Sequence, residues 1–175
     1  MVTYDAQRAQ CLVFTFKEGM LSALAHDLKI QVNQMTIDVD EKARTIDARL
    51  DARSLRVVTV MKKGVEAPGE LGPDHFKKIE GQIVEDVLES NRYPEIRFRS
   101  TSVVERDGGF QVEGMLTLHG VEKPRQVVVR RTDSVYLAEC ELDQTDFGIT
   151  PFSAMMGTLK VKPVVRIEVR IPATV

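Results

Sequence analysis

Apolar and polar residues alternate with a period of two along most of the chain. In residues 26–32, for example, Leu28, Ile30 and Val32 share one face, and charged or polar residues occupy the other. The same alternation recurs in residues 12–17, 35–53, 96–118, 127–142 and 160–171. Because successive side chains of a strand point to opposite sides of a sheet, this pattern predicts antiparallel strands with one buried and one solvated face.

Polar turn signals separate the alternating segments. The Asp40–Arg44 stretch predicts a hairpin turn that leads into a strand with Ile46, Ala48 and Leu50 on its apolar face. The Asp107–Gly109 stretch is a second, stronger hairpin signal between two alternating segments. The pattern as a whole predicts eight or nine strands.

The middle of the chain follows the period of a helix instead. After a loop rich in proline and glycine, apolar residues recur at spacings of three, four and four: Phe76, Ile79, Ile83 and Val87. Charged residues fill most of the positions between them. We therefore predict one amphipathic α-helix at about residues 74–90, with Asp74 as its N-cap.

Many strands in hairpin order that share one buried face can close into a barrel, which leaves no exposed sheet edge. We predict a mainly β protein, an eight-stranded antiparallel barrel with one helix, forming a single domain over residues 1–175. A barrel of this size is either filled by its own side chains or holds one small ligand. The function depends on which of the two applies.

Composition and charge exclude several classes of protein. The hydrophobic fraction of 43% and charged fraction of 29% are typical of globular domains. The net charge of −2, with basic residues spread along strands, argues against nucleic-acid binding. No apolar run approaches the ~20 residues needed to cross a bilayer. Residues 1–10 lack the apolar stretch of an export signal, so we expect a cytoplasmic protein if Met1 is native and a periplasmic one if a signal was removed.

Residues that could carry chemistry are scattered. The three histidines are well separated, and no paired CxxC, HExxH or glycine-rich phosphate loop is present, so we expect no metal and no cofactor. We expect Cys11 and Cys140 to be ordinary thiols. Asp143 and Asp146 could form a carboxylate pair, although a position at a strand end suits them better.

Two features allow a structural and a functional interpretation. His26 shares the face of Leu28 and Ile30, so it either forms hydrogen bonds inside the barrel or contacts a ligand head group. Residues 147–157 are unusually apolar for a loop, and could form either a plug over the core or a flexible rim around an apolar mouth. The candidate ligand-binding residues of this segment are Phe147, Phe152, Met155 and Met156.

Three motifs in order carry a family resemblance. The segments Arg92–Thr101 (RYPEIRFRST), Gly114–Pro124 (GMLTLHGVEKP) and Thr145–Ile149 (TDFGI) resemble the YceI-like family. The early strand that ends near His26 and the Ser54–Leu55 pair before the helix also fit the family. Together these features cover most of residues 5–171. The resemblance implies an elongated, lipocalin-like antiparallel barrel with a helix at one side or end.

The resemblance also implies a function and a set of lining residues. Some members of the family hold a polyisoprenoid chain, an isoprenoid quinone or a fatty amide in the lumen, often as dimers. On matching positions, the lumen would be lined by Phe14, Phe16, Leu28, Ile30, Ile96, Phe98, Leu116 and Leu118. Phe76 and Ile79 of the helix could close one side, and we add Leu50 from the alternation.

The sequence therefore predicts a non-catalytic protein that binds an apolar lipid-like molecule (a polyisoprenoid, an isoprenoid quinone or a fatty acid or amide) for carriage or sequestration. Two alternatives remain open. One is a structural or stress-related interaction module with a filled barrel, possible also as a homodimer. The other is an enzyme acting on an apolar substrate, with His26 or Asp146 as acid or base.

Overall fold

The computed structural model describes residues 1–19 and 25–173. Its strands in chain order are β1 (Val2–Asp5), β2 (Gln10–Thr15), β3 (Lys17–Glu18), β4 (Asp27–Val32), β5 (Met35–Asp40), β6 (Thr45–Asp51), β7 (Leu55–Lys62), β8 (Val65–Glu66), β9 (Glu95–Arg106), β10 (Gly109–Leu118), β11 (Val121–Arg131), β12 (Val135–Asp143), β13 (Ser153–Ala154), β14 (Leu159–Val161) and β15 (Val164–Pro172). All the pairings between them are antiparallel.

Several neighbouring segments are halves of one long, bent strand. The β4–β5 unit pairs with the β6–β7 unit along its whole length, from Asp27 opposite Met61 to Asp40 opposite Thr45. Two backbone hydrogen bonds carry the ladder across the bend. The Asn33 N–H donates to the carbonyl of Ser54 at 3.1 Å, and the Asp51 N–H donates to that of Gln34 at 2.9 Å. In the same way, β1 and β2 both pair with the β4–β5 unit.

These units form a ring. The β1–β2 unit is followed by β4–β5, β6–β7, β9, β10, β11, β12 and β15, and β15 pairs with β2 to close it. The main sheet has twelve separate segments rather than eight, because the bends interrupt three strands and the short β8 is added to β7. The predicted mainly β, lipocalin-like barrel is confirmed. Strands β13, β14 and β3 make a small separate sheet at one end.

A turn of 3-10 helix at Ala52–Ser54 interrupts the long strand between β6 and β7. The carboxylate of Asp51 accepts a hydrogen bond from the Arg53 N–H at 2.8 Å, which starts the turn. The hydroxyl of Ser54 donates to the carbonyl of Asp51 and accepts from the N–H of Gln34. Side chains thus satisfy the backbone groups that the interrupted ladder leaves without partners.

The predicted helix is confirmed, with a different start and end. Helix α1 spans Pro73–Gln82 and continues as one π-helical turn, Ile83–Val87. Gly72 is the N-cap, so the prediction of Asp74 for that position is wrong. Pro73 occupies the first helical position, where its missing N–H costs nothing, and Asp74 lies in the first turn, where a carboxylate favours the helix dipole. No described helix is long and apolar enough to span a membrane.

Helix α1 packs beside β7, where the bent β6–β7 strand moves away from β9. The Glu80 carboxylate accepts a hydrogen bond from the Val57 N–H at 2.9 Å. Farther along, the buried hydroxyl of Ser90 donates to the carbonyl of Ala52 at 3.2 Å. These contacts fix the helix at the side of the barrel.

Candidate functional site

A cavity of about 980 Å³ occupies the interior of the barrel. Every strand of the ring contributes apolar side chains to its wall, and α1 with its π-helical turn contributes Ile79, Ile83 and Val87. Ligand pockets usually measure roughly 300–1,000 Å³ and are mainly apolar. The interior of this barrel therefore has the size and lining of a large ligand site.

The wall stays open at its centre because some inward positions carry very small residues. Ala48 and Ala138 line the cavity, and the buried Gly114 lies on β10, with one strand between it and each of them in the ring. A Cβ on Gly114 would lie 2.4 Å from Cζ of Phe98, which shows that the Phe98 ring packs against this glycine. The aromatic ring thus lies along the wall, and the lumen keeps its width.

The structure places most of the predicted site residues at this cavity. Those that line it are His26, Leu28, Ile30, Leu50, Ile79, Ile96, Phe98, Leu116, Leu118, Phe152 and Met155. Those that do not are Phe14, Phe16, Phe76, Phe147 and Met156. That the lining residues contact a ligand stays a prediction.

The inward face of β2 is the opposite of the predicted one. Cys11, Val13 and Thr15 line the cavity, whereas Phe14 is buried on the outer side of the strand. There the guanidinium of Arg166 lies 4.2 Å from the centre of the Phe14 ring. Both faces of β2 are apolar or covered, so alternation alone gives no unique orientation.

The other displaced residues have different environments. Phe16 lies between β2 and β3, where its carbonyl accepts a hydrogen bond from the Lys162 N–H at 2.8 Å. Phe76 of α1 packs against the core cluster around Ile30. Met156 is fully exposed, with a left-handed φ of 56°.

The apolar segment 147–157 divides into two parts. Phe147 is completely buried and packs with Leu142, Ile149 and Val165, so it belongs to the wall rather than to the lumen. Phe152 and Met155 line the cavity, and Met155 is 61% exposed. The first part agrees with the plug interpretation and the second with an apolar rim.

Both cysteines line the cavity as uncharged thiols. Burial raises the pKa of Cys11 to about 12 and also raises that of Cys140. Strand β15 lies between their strands, which puts the two Cα atoms roughly 9–10 Å apart or more. A disulfide needs less than about 7 Å, and both thiols are free.

The residues proposed for catalysis have structural partners. Asp146 forms an ion pair with Arg125 at 2.7 Å. Asp143 caps the following 3-10 turn, and hydrogen bonds from Thr145 lower its pKa. The two carboxylates therefore have separate partners. In residues 1–19 and 25–173, no group of three or more His, Cys, Asp or Glu could hold a metal ion.

Comparisons with known proteins agree with this architecture. A family model described as the YceI-like domain matches residues 4–173. The fold is similar to that of BcnA from Burkholderia cenocepacia, with a TM-score of 0.67, 14% identity and coverage of 97% of this chain and 99% of that one. No curated protein matches the chain.

Two further solved structures have the same fold. A polyisoprenoid binding domain from Saccharophagus degradans, implicated in plant cell wall breakdown, has a TM-score of 0.57 and 11% identity, with 94% of each chain covered. The YCEI protein of Campylobacter jejuni has a TM-score of 0.55 and 13% identity, with 85% of this chain and 86% of that chain covered. At these identities the similarity establishes the fold.

Proposed function

Because the chain belongs to the YceI-like family, we propose that its barrel binds an apolar, lipid-like molecule in the lumen, without catalysis, for carriage or sequestration. Polyisoprenoids, isoprenoid quinones and fatty acids or amides are the candidate ligands. The observation that carries the proposal is the cavity of about 980 Å³ with its apolar wall. The relative described as a polyisoprenoid binding domain supports the same ligand class.

The energetics of such a site require no catalytic group. Burial of one methylene group contributes about 0.8 kcal/mol, so a ~16-carbon tail gains roughly 13 kcal/mol before losses. Immobilising the ligand removes several kcal/mol of this gain. The remainder corresponds to useful affinity, because every ~1.4 kcal/mol changes the dissociation constant tenfold.

The alternative of an interaction module rested on a barrel filled by its own side chains. The large cavity disfavours that interpretation. The enzyme alternative needs His26 or Asp146 as an acid or base. It is disfavoured for Asp146, because an ion pair with Arg125 already holds that carboxylate. Homodimerisation stays a prediction.

The first experiment identifies the bound molecule. Protein purified from its native host is extracted with organic solvent, and the extract is analysed by mass spectrometry. We expect a lipid in near-stoichiometric amount. Protein that carries no lipid from the host and also binds no long-chain lipid added in vitro would contradict the proposal.

A pair of neighbouring valines provides a matched test of the lumen. Val127 lines the cavity, and Val128, the next residue of β11, is 58% exposed on the outside. Val127→Trp should fill part of the lumen and weaken lipid binding at least tenfold, whereas Val128→Trp should leave binding unchanged. Equal effects of the two variants would argue that lipids bind elsewhere.

A further inference from the structure

The two ends of the cavity differ in chemistry. The bent strand β4–β5 runs from Asp27 to Asp40, so His26 and Asp40 lie at its opposite ends. At the Asp40 end, which we call the charged end, the cavity is lined by residues of both signs: Asp40, Glu41, Arg44, Glu105 and Arg131.

The other end carries hydrogen-bond donors instead. We call it the donor end and define it by four lining residues: Thr15, His26, His75 and Lys78. Among the described residues, no carboxylate lines the cavity there. Glu70 lies close enough to His26 to interact electrostatically, but its carboxylate is held by Lys62 at 2.6 Å and does not line the cavity. Among the described residues that line this end, a group with accepting oxygens therefore meets no repelling carboxylate.

Thr15 is the distinctive residue of the donor end. It lies opposite Leu28 of β4, and its Oγ1 is buried without a hydrogen-bond partner among the described residues. Buried polar atoms almost always have a partner, and one without a partner needs an explanation. The other such atom, Nε of Arg166, belongs to a residue outside the cavity wall.

Two other polar residues of the wall, Gln144 and Arg125, already have side-chain partners. The side-chain amide of Gln144 donates to the carbonyl of Lys162 at 3.2 Å. The guanidinium of Arg125 donates to the carboxylate of Asp146 at 2.7 Å. A ligand that binds Gln144 or Arg125 would have to displace these partners, whereas the hydroxyl of Thr15 has no partner to displace among the described residues.

We propose that the donor end binds the polar head group of the ligand, through an oxygen that accepts a hydrogen bond from Thr15 Oγ1, with the apolar tail directed toward the charged end. The proposal rests on the proposed function, since it specifies how a lipid lies in the lumen. Carbonyl and carboxylate oxygens fit this site. A cationic ammonium head group does not fit, because the ammonium group of Lys78 has no acceptor and would repel it.

The test compares two probes of equal chain length, hexadecanamide and hexadecane, in competition with a fluorescent apolar dye. Thr15→Val removes the hydroxyl and keeps the side-chain shape. We expect it to weaken the binding of hexadecanamide about tenfold, which corresponds to ~1.4 kcal/mol, and to leave the binding of hexadecane unchanged. Thr15→Ser keeps the hydroxyl and should retain the preference for the amide.

Thr59→Val is the matched control, because Thr59 is a buried threonine of β7 that does not line the cavity. It should change neither affinity. Thermal denaturation should show Thr15→Val to be at least as stable as the wild type, because the variant removes a buried hydroxyl that has no partner.

A third probe, hexadecanoate, separates an anionic head group from a neutral one. Lys78 lines the donor end, and the adjacent Lys77 of α1 does not. If Lys78→Gln weakens the binding of hexadecanoate several-fold and Lys77→Gln does not, the head group is a carboxylate. If neither variant affects binding while Thr15→Val still does, the head group is a neutral carbonyl.

If Thr15→Val weakens the binding of hexadecanamide and hexadecane equally, or weakens neither, the head-group assignment is wrong. The carrier proposal would still stand in that case. Failure of the wild-type protein to bind any of the probes would overturn both.

Discussion

Glu89 and His119 are joined by a contact of 2.8 Å between the carboxylate Oε2 and the imidazole Nε2. The other ring nitrogen of His119 lies 3.2 Å from the carbonyl oxygen of Phe147, and the ring packs on Tyr93 with centroids 4.4 Å apart. One side chain therefore connects the segment after α1, the turn after β10 and the wall residue Phe147. The motif residues around Tyr93 and His119 thus have a structural role at the end of the barrel.

Replacing His119 should destabilise the protein. His119 has a left-handed φ of 52°, and asparagine tolerates that conformation, so His119→Asn keeps the turn and removes the ring contacts. We expect the free energy of unfolding to fall by about 1–3 kcal/mol in urea denaturation. His75→Asn is the control: although His75 lines the donor end of the cavity, its side chain is largely exposed, so the variant should change the free energy of unfolding by less than about 0.5 kcal/mol. If His119→Asn leaves the free energy of unfolding unchanged, these contacts do not contribute to stability.

Gly114→Ala should affect both stability and binding. The added Cβ would lie 2.4 Å from Phe98 Cζ and 2.5 Å from the carbonyl oxygen of Arg99, so the Phe98 ring has to move. We expect a loss of about 1–3 kcal/mol in unfolding free energy and weaker lipid binding as the ring enters the lumen. Urea denaturation and dye competition measure the two effects.

Gly81→Ala is the contrasting variant. Gly81 lies inside α1, and a Cβ there meets nothing within 4 Å. Alanine should therefore raise the unfolding free energy by about 0.5–1 kcal/mol through its helix propensity. If both glycine variants shift stability in the same direction, the packing argument for Gly114 is wrong.

The ion pair between Asp47 and Arg97 should make stability depend on pH. A hydrogen bond from Arg97 is the main cause that holds the pKa of Asp47 below its ordinary value of 3.8. The stabilisation is therefore present above pH ~3.8 and is lost as the pH falls through the lower pKa of the folded state. Asp47→Asn should cost about 0.5–1 kcal/mol at pH 7, since both side chains are partly exposed, and progressively less in acid.

Unfolding of the wild type and Asp47→Asn in urea at a series of pH values measures this difference. Asp133→Asn, in the exposed turn after β11, is the control. A cost of Asp47→Asn that stays constant down to pH 2 would contradict the assignment.

The thiol of Cys11 should be unreactive in the folded protein. Burial raises its pKa from 9.0 to about 12, which reduces the thiolate population about a thousandfold at pH 8. In the Cys140→Ser variant, where Cys11 is the remaining cysteine, we expect alkylation by iodoacetamide to be at least a hundredfold slower than in urea. Fast labelling of the folded variant would show that water and small reagents reach this wall of the lumen freely.

Alternation predicted the fold because most strands of the ring have one apolar and one polar face. Leu28, Ile30, Leu116 and Leu118 were therefore placed correctly on the inner wall. The helical period likewise located α1, since its apolar residues pack on the barrel along one side.

Strand β2 shows where this reasoning fails. With Leu12 and Phe14 buried outside and Cys11 and Val13 inside, hydrophobicity does not distinguish the two faces, so the predicted inward positions of Phe14 and Phe16 are wrong. The bend at Ala52–Ser54 was also missed, because it contains neither glycine nor proline and depends on hydrogen bonds to residues distant in the sequence. Such features are properties of the assembled ring.

The pairing of β2 with β15 has a consequence for how the protein is made. These strands lie near opposite ends of the sequence, so ribosomes must synthesise almost the entire chain before the wall of the lumen is complete. A nascent chain thus has no enclosed compartment in which to retain a guest. Under the proposed function, a lipid can therefore be retained in the lumen only after β15 has been synthesised and has paired with β2.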